Sequence, residues 1–484
     1  MGDWFGRSNY RGEPVFRTPS TVSKSLVGLG LGLLVLACAT SQPPSSVHTA
    51  SSAAAKPRSV ILFIGDGLGF SHLTFARNYA FGPGGGRLVL EGLPVTAILS
   101  TWSASNSTTD SAAAGTALAA GVKTKNKAVG VTEDGAVARS FAETAQEKGW
   151  KVGYVTTTRV THATPASFYA HVKHRYGDSD TIGVQLLEHA PDLVLGGGKR
   201  AFLPETVEGG KRQDDRNLIE EAKAAGYTIW EDILPEGPAP PKTLGLFDMT
   251  HLDYVVDALQ RPEDERPPTL EQMTRVALDT LGQHDESFFL MVEGGRIDHG
   301  GHDFDAPTVA LETLEFDKAV ALALEYQKQH PDTLIVLTSD HGTGGLTTSD
   351  WVDWDALKRQ KASVEWMARA IRRGAGLDML AEKTGYTDFT EDDLEAIRNP
   401  SREEVICGPD NPEERLRVGY GTRVLGGELG RRYGVTWMPC IGKTTHGHTS
   451  EDVPLYAGGP GAERFQGTLD NTEVPEILMD LLGW

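Results

Sequence analysis

Ser59-Val-Ile-Leu-Phe-Ile-Gly65-Asp66 is five consecutive branched or aromatic apolar residues, then a glycine, then an acid. A run that short, with no polar alternation, is a strand buried on both faces, and such strands belong to parallel sheets covered by helices. The acid falls at the strand's carboxyl end, where open α/β sheets gather their functional groups. The pattern recurs twice: residues 288–292 run into Glu293, and residues 334–337 lead into Asp340-His341. Working outward, residues 95–100, 152–157 and 193–195 read as further strands. Residues 140–148, 218–225, 270–281 and 309–329 carry apolar side chains at spacings of three and four, as helices do. The alternation predicts an α/β fold, a three-layer α/β/α sandwich around a large, mostly parallel sheet. Residues 347–443, rich in charge and helix signals, read as a helical insertion or cap subdomain on a body of residues 59–484. Gly84-Gly85-Gly86 and Gly196-Gly197-Gly198 fit no phosphate-loop spacing and read as turns.

Composition narrows the function. Among 484 residues, 66 Asp and Glu outweigh 46 Lys and Arg, a formal charge of −20 that repels nucleic acid and anionic membranes. Three cysteines exclude a Cys-rich zinc site, so a metal here has to sit on carboxylates and imidazoles. At the start of the chain, Arg7, Arg11, Arg17 and Lys24 precede an apolar run over residues 26–37, too short to span a bilayer and right for an export signal. The run ends Leu34-Val-Leu-Ala37-Cys38, which looks like the lipobox of bacterial lipoproteins. Residues 1–37 are therefore expected to be a signal peptide, Cys38 an acylated first residue, and residues 38–58 a flexible tether. The expected location is periplasmic or tethered to the outer membrane, with the lipid on Cys38 as the only membrane contact. In that oxidising space Cys407 and Cys440 either pair or remain two buried thiols.

The three strand-end acids suggest metal binding. Asp298 and His302 are four apart and share a face if their stretch makes one helical turn, offering an oxygen and a nitrogen ligand. His448, in a glycine-flanked loop with His446, offers another imidazole. Asp110-Ser111-Ala-Ala-Ala-Gly-Thr-Ala117 begins a small-residue helix. There a side chain can simply cap the helix, or the backbone N–H groups and the helix dipole can hold an anion. With no Gly-x-Ser-x-Gly elbow and no histidine base in a neighbouring motif, a nucleophilic Ser111 needs a metal to activate it.

These segments resemble the alkaline phosphatase family in order and spacing. The resemblance is carried by residues 64–67, 109–112, 121–124, His162 to Pro165 through Arg175, residues 292–294, 338–341 and 448–449, and so covers the whole body from residue 59. It implies hydrolysis of phosphate monoesters through a phosphoserine on Ser111. By the same likeness one zinc is held by Asp298, His302 and His448, a second by Asp66, Asp340 and His341, and one magnesium by Asp66, Thr164 and Glu293. Arg175 clamps phosphate, while Asp110, His162 and His299 stand behind the ligands, His299 also facing substrate phosphate. The best-known bacterial form has Asp at the first of those histidines and Lys at the second; the animal enzymes have histidine at both. A histidine at 162 leaves the third ion open between magnesium and zinc, since imidazole suits zinc and meets magnesium only through water. Family members are usually homodimers. The competing readings are a phosphodiesterase or sulfatase on the same fold, or a lipoprotein that binds phosphate or metal without turnover. Ser111-Ala-Ala-Ala-Gly lacks the Cys/Ser-x-Pro-x-Arg motif of the arylsulfatases.

Overall fold

The computed structural model describes residues 56–283, 286–400, 421–438 and 447–484. The signal peptide, Cys38, nearly all of the tether, the Cys407 and Cys440 pair and His446 lie outside those residues. Among the described residues no helix is long and apolar enough to cross a membrane.

In chain order the strands are β1 (Ser59–Gly65), β2 (Val95–Ser100), β3 (Lys151–Arg159), β4 (Leu193–Gly197), β5 (Thr228–Trp230), β6 (Thr243–Leu246), β7 (Phe288–Glu293) and β8 (Thr333–Ser339). The short β9 (Gly342–Thr343), β10 (Thr347–Thr348), β11 (Val435–Thr436) and β12 (His448–Thr449) follow, then β13 (Val453–Gly458) and β14 (Gly467–Asp470). Ten of them form one sheet in the order β14-β2-β13-β8-β1-β7-β3-β4-β6-β5. Every neighbouring pair is parallel except those made by β13, which runs antiparallel to both β2 and β8. The residue-by-residue alternation of a strand divides the apolar run between two cores. Ile61 and Phe63 pack with Leu290, Ile335, Phe316 and Val309 on one face, whereas Val60, Leu62 and Ile64 pack with Phe289, Val336 and Phe141 on the other. A sheet buried on both sides cannot tolerate polar alternation, hence the unbroken apolar runs.

Helices form where the spacing predicts. Phe141–Glu147 is closed at its start by Ser140 and Glu143 in a reciprocal capping box, and Leu270–Leu281 by Thr269 and Gln272 in the same way. One reading needs correction: Gly196 and Gly197 lie inside β4 rather than in a turn, and only Gly198 takes a left-handed conformation (φ 100°). A Cβ on Gly197 would lie 2.2 Å from the carbonyl of Thr250, so close backbone approach is what demands glycine there.

The described part of residues 347–443 contains five helices, Trp354–Arg359, Val364–Arg372, Leu377–Thr384, Glu391–Arg398 and Gly421–Tyr433. Their Met367, Ile371, Leu380, Leu394 and Leu425 join the same apolar cluster as Ile61 and Phe316. Two of its polar side chains reach the segment that carries Asp298: Glu365 pairs with Arg296 at 3.1 Å, and Arg423 Nε donates to the carbonyl of His302 at 2.9 Å.

Candidate active site

The register of the three central strands aligns their acids. Ile64 of β1 sits opposite Glu293 at the end of β7 and opposite Thr338 of β8, so Asp66, Glu293 and Asp340 emerge side by side at the carboxyl edge. All three are fully buried. The next layer comes from Arg296–His302, one short helix that puts Asp298 and His302 on a common face, with Oδ2 to Nε2 at 3.2 Å. His448 arrives from β12, paired antiparallel with β9, and its Nε2 lies 3.2 Å from that of His302. The helix Ser111–Ala120 points its N-terminus at this edge. Asp110 caps it by accepting from the Ala113 N–H, and Ser111 Oγ is 3.2 Å from His341 Nε2.

Among the described residues three potential ligand clusters result, each with its atoms within 4.8 Å of one another: Asp298, His302 and His448; Asp66, Asp340 and His341; and Asp66, His162 and Glu293. The hydrogen bonds decide which ring nitrogens carry lone pairs. His448 Nδ1 donates to the carbonyl of Thr109, leaving Nε2 free. Thr343 Oγ1 donates to Asp298 Oδ1 at 2.5 Å, so toward His341 Nδ1, 3.2 Å away, it can only accept, and His341 Nε2 is likewise free. His162 is the opposite case. Arg175 has only donors, so its Nη2 at 2.7 Å makes His162 Nε2 the acceptor and puts the proton on Nδ1, facing Asp66 Oδ2 at 3.9 Å. His162 therefore meets the third cluster as a donor rather than as a lone pair.

Both oxygens of Asp66, Asp340 Oδ2, Glu293 Oε1 and Thr164 Oγ1 are buried with no hydrogen-bond partner among the described residues. Burial pushes Asp66 well above the usual carboxylate range, helped by Asp340 and Asp298, and raises Glu293 and Asp340 to about 7. Burial also lowers His341 to about 4 and His448 well below its ordinary value, so both rings are neutral, as ligation requires. Orphaned carboxylates beside the free Nε2 lone pairs of His341 and His448 fit bound divalent cations, which would neutralise the acids and occupy the lone pairs.

A cleft of about 430 Å³ opens over this floor, lined by Asp110, Ser111, Lys127, His162, Arg175, Tyr176, Asp298, His299, His302 and His448. His299 Nδ1 accepts from Arg296 Nη1 at 2.8 Å. Sequence reasoning missed several contributors. Thr343 links two clusters, Thr156 and Thr158 donate to Glu293, and His251 packs edge-on against His299 with ring centroids 4.4 Å apart. The Arg296 guanidinium carbon lies 3.6 Å from the centroid of the Tyr254 ring. Lys127 and Tyr176 belong to no motif; for Lys127 the one available signal was its place in a turn.

The family model described as alkaline phosphatase matches residues 57–483. Alkaline phosphatase 3 of Bacillus subtilis is 34% identical over 395 residues, covering 78% of this chain and 77% of its own. Among solved structures, the cold-active alkaline phosphatase of Shewanella sp. superposes with a TM-score of 0.71 at 30% identity, over 88% of this chain and 99% of that one. The Thermus thermophilus alkaline phosphatase gives 0.75 at 29%, over 88% and 92%. An alkaline phosphatase mutant from the Antarctic bacterium TAB5, solved with Mg bound in its M3 site, gives 0.65 at 27%, over 89% and 99%. Matched sequence and superposed fold agree, and the chain belongs to the alkaline phosphatase family of phosphatases.

Proposed function

We propose that this phosphatase hydrolyses phosphate monoesters through a phosphoserine on Ser111, at two zinc ions and a third ion that is magnesium. The observation that carries this reading is Ser111 Oγ at a helix N-terminus, 3.2 Å from a neutral His341 Nε2 whose lone pair is free. Asp298, His302 and His448 would hold one zinc, Asp66, Asp340 and His341 the other, and Asp66, Glu293 and Thr164 the third ion, with His162 Nδ1 donating toward Asp66 or a water. Bound there, the ions supply Lewis acidity to the attacking and leaving oxygens of an in-line displacement.

The side chains do the rest. Arg175, held by His162 and lying 3.9 Å from Asp110, presents its planar fork to two phosphate oxygens. The first N–H groups of the helix Ser111–Ala120 face the same phosphoryl group. The bond from Ser111 Oγ to phosphorus forms as the bond to the leaving alcohol breaks, and the serine proton reaches that alcohol through water. A water molecule then attacks from the vacated side, releasing inorganic phosphate and restoring Ser111.

The test is Ser111→Ala in protein loaded with zinc and magnesium. Hydrolysis of an aryl monophosphate should fall at least about a thousandfold, and acid quenching of the wild type should trap labelled phosphate on Ser111 alone. Undiminished turnover by the variant would overturn the phosphoserine route. Elemental analysis should find two zincs per chain. The homodimer, the lipid on Cys38 and a periplasmic or outer-membrane location are part of the same proposal, tested by sedimentation and by the mass of the mature N-terminal peptide.

A further inference from the structure

Lys127 stands where the backbone calls for glycine. Residues 125–128 form a tight turn closed by the Ala128 N–H on the carbonyl of Lys125, and Lys127, its third residue, has φ 76°. That left-handed conformation is one side chains rarely adopt, and strained residues of this kind gather at ligand sites. The strain is enforced from both sides. The Lys127 N–H donates to Asp110 Oδ2 at 2.9 Å, and its carbonyl accepts from the Arg175 N–H at 2.8 Å. One residue thus fastens the N-cap of the Ser111 helix to the phosphate-clamping arginine.

A glycine would make both backbone bonds without the strain, so the bonds alone do not account for the side chain. That side chain lines the cleft, on the wall formed with Asp110, Arg175 and Tyr176. Its ammonium has no ion pair or hydrogen bond among the described residues, whereas the Arg175 guanidinium in the same cleft is held by His162. Beside it Tyr176 is 61% exposed, with the Arg175 guanidinium 5.1 Å from its ring. On a chain of charge −20, an unpaired cation at the mouth of an anion site draws in negative groups.

We propose that Lys127 is a specificity-determining residue that binds a second anionic group, a phosphate or carboxylate, on the leaving alcohol. Bisphosphorylated and phosphorylated acidic alcohols would then be preferred over neutral ones. The inference rests on the phosphomonoesterase reading above.

The experiment uses the full metal-loaded protein and compares kcat/KM for 1,3-propanediol bisphosphate with that for propyl phosphate. It is run in the wild type, Lys127→Arg and Lys127→Gly, at low and high salt. Lys127→Gly relieves the turn and removes the cation, so it is expected to fold at least as well as the wild type. The wild type should favour the bisphosphate, Lys127→Arg should retain that preference, and Lys127→Gly should lose about tenfold of it. The preference should also shrink as salt rises. An unchanged ratio in Lys127→Gly, with both esters still hydrolysed, would overturn the role of Lys127 and leave the phosphomonoesterase reading standing. Failure of the wild type to hydrolyse either ester would overturn that reading and this one together.

Discussion

Thr343 shows how much one hydroxyl controls. It donates to Asp298 and thereby becomes the acceptor that fixes the His341 tautomer, so it sets the ligand state of two clusters at once. Thr343→Val keeps the shape and removes the oxygen. Metal affinity should fall about 10- to 100-fold, read by zinc titration against a competing chelator, with secondary structure intact by circular dichroism. Unaltered affinity would show that His341 is oriented by other contacts. The sequence could nominate Asp66, Ser111, Asp298, His302, Asp340, His341 and His448 because each is a chemically able residue beside a strand end, a helix start or a neighbouring ligand. Thr343, Thr156 and His251 carry no such mark. Their importance comes from what lies across from them: Thr343 meets Asp298 45 residues away, and Thr156 meets Glu293 137 residues away.

At the scale of elements, periodicity was legible in the longer helices and in most of the buried strands, but not in all: β13 is buried throughout and went unread. Leu270–Leu281 and the apolar heart of β1 could be read directly, whereas β5 and β6 were not. β5 is three half-buried residues at the sheet's edge, too short to show a period. The helix Ser179–His189 makes a pH-dependent contribution. Its last residue, His189, is held by burial at about 4, with Nε2 2.8 Å from the Tyr154 hydroxyl. The C-terminal dipole favours protonation there, and burial wins. The unfolded chain takes up this proton near pH 6.5 and the folded one only near 4. The stability it contributes is therefore complete above 6.5 and is lost as pH falls toward 4. Compared with His189→Gln, which cannot titrate, the wild type should lose about 2 to 3 kcal/mol between pH 7 and 4, measured by urea unfolding at each pH. A constant difference across that range would mean that His189 keeps its ordinary affinity for protons.

Across the whole molecule, the acid clusters tie stability to metal. Asp66, Glu293 and Asp340 are buried within one layer at the centre of the sheet, and the folded state confines their charges where the unfolded chain spreads them. Exhaustive chelation should lower the melting temperature by several degrees and abolish turnover, and zinc with magnesium should restore both. A site filled at about a thousand times its Kd adds about 4 kcal/mol to the folded state. A melting temperature indifferent to chelation would mean the clusters are held without ions. The layered architecture was legible from the alternation of elements, but the order of strands was not, because nothing local records which edge a strand joins.

β13 has a consequence for how the chain is made. It follows every other sheet strand of five or more residues in chain order, beginning at Val453, yet it lies inside the sheet between β2 and β8 rather than at a border. Until it arrives, the sheet has an open seam, and the ladder edges of Ala97–Leu99 and Val336–Thr338 have no partner. A chain stalled before residue 453 therefore presents two sticky borders to any neighbour, and the nascent protein needs guarding until β13 is out.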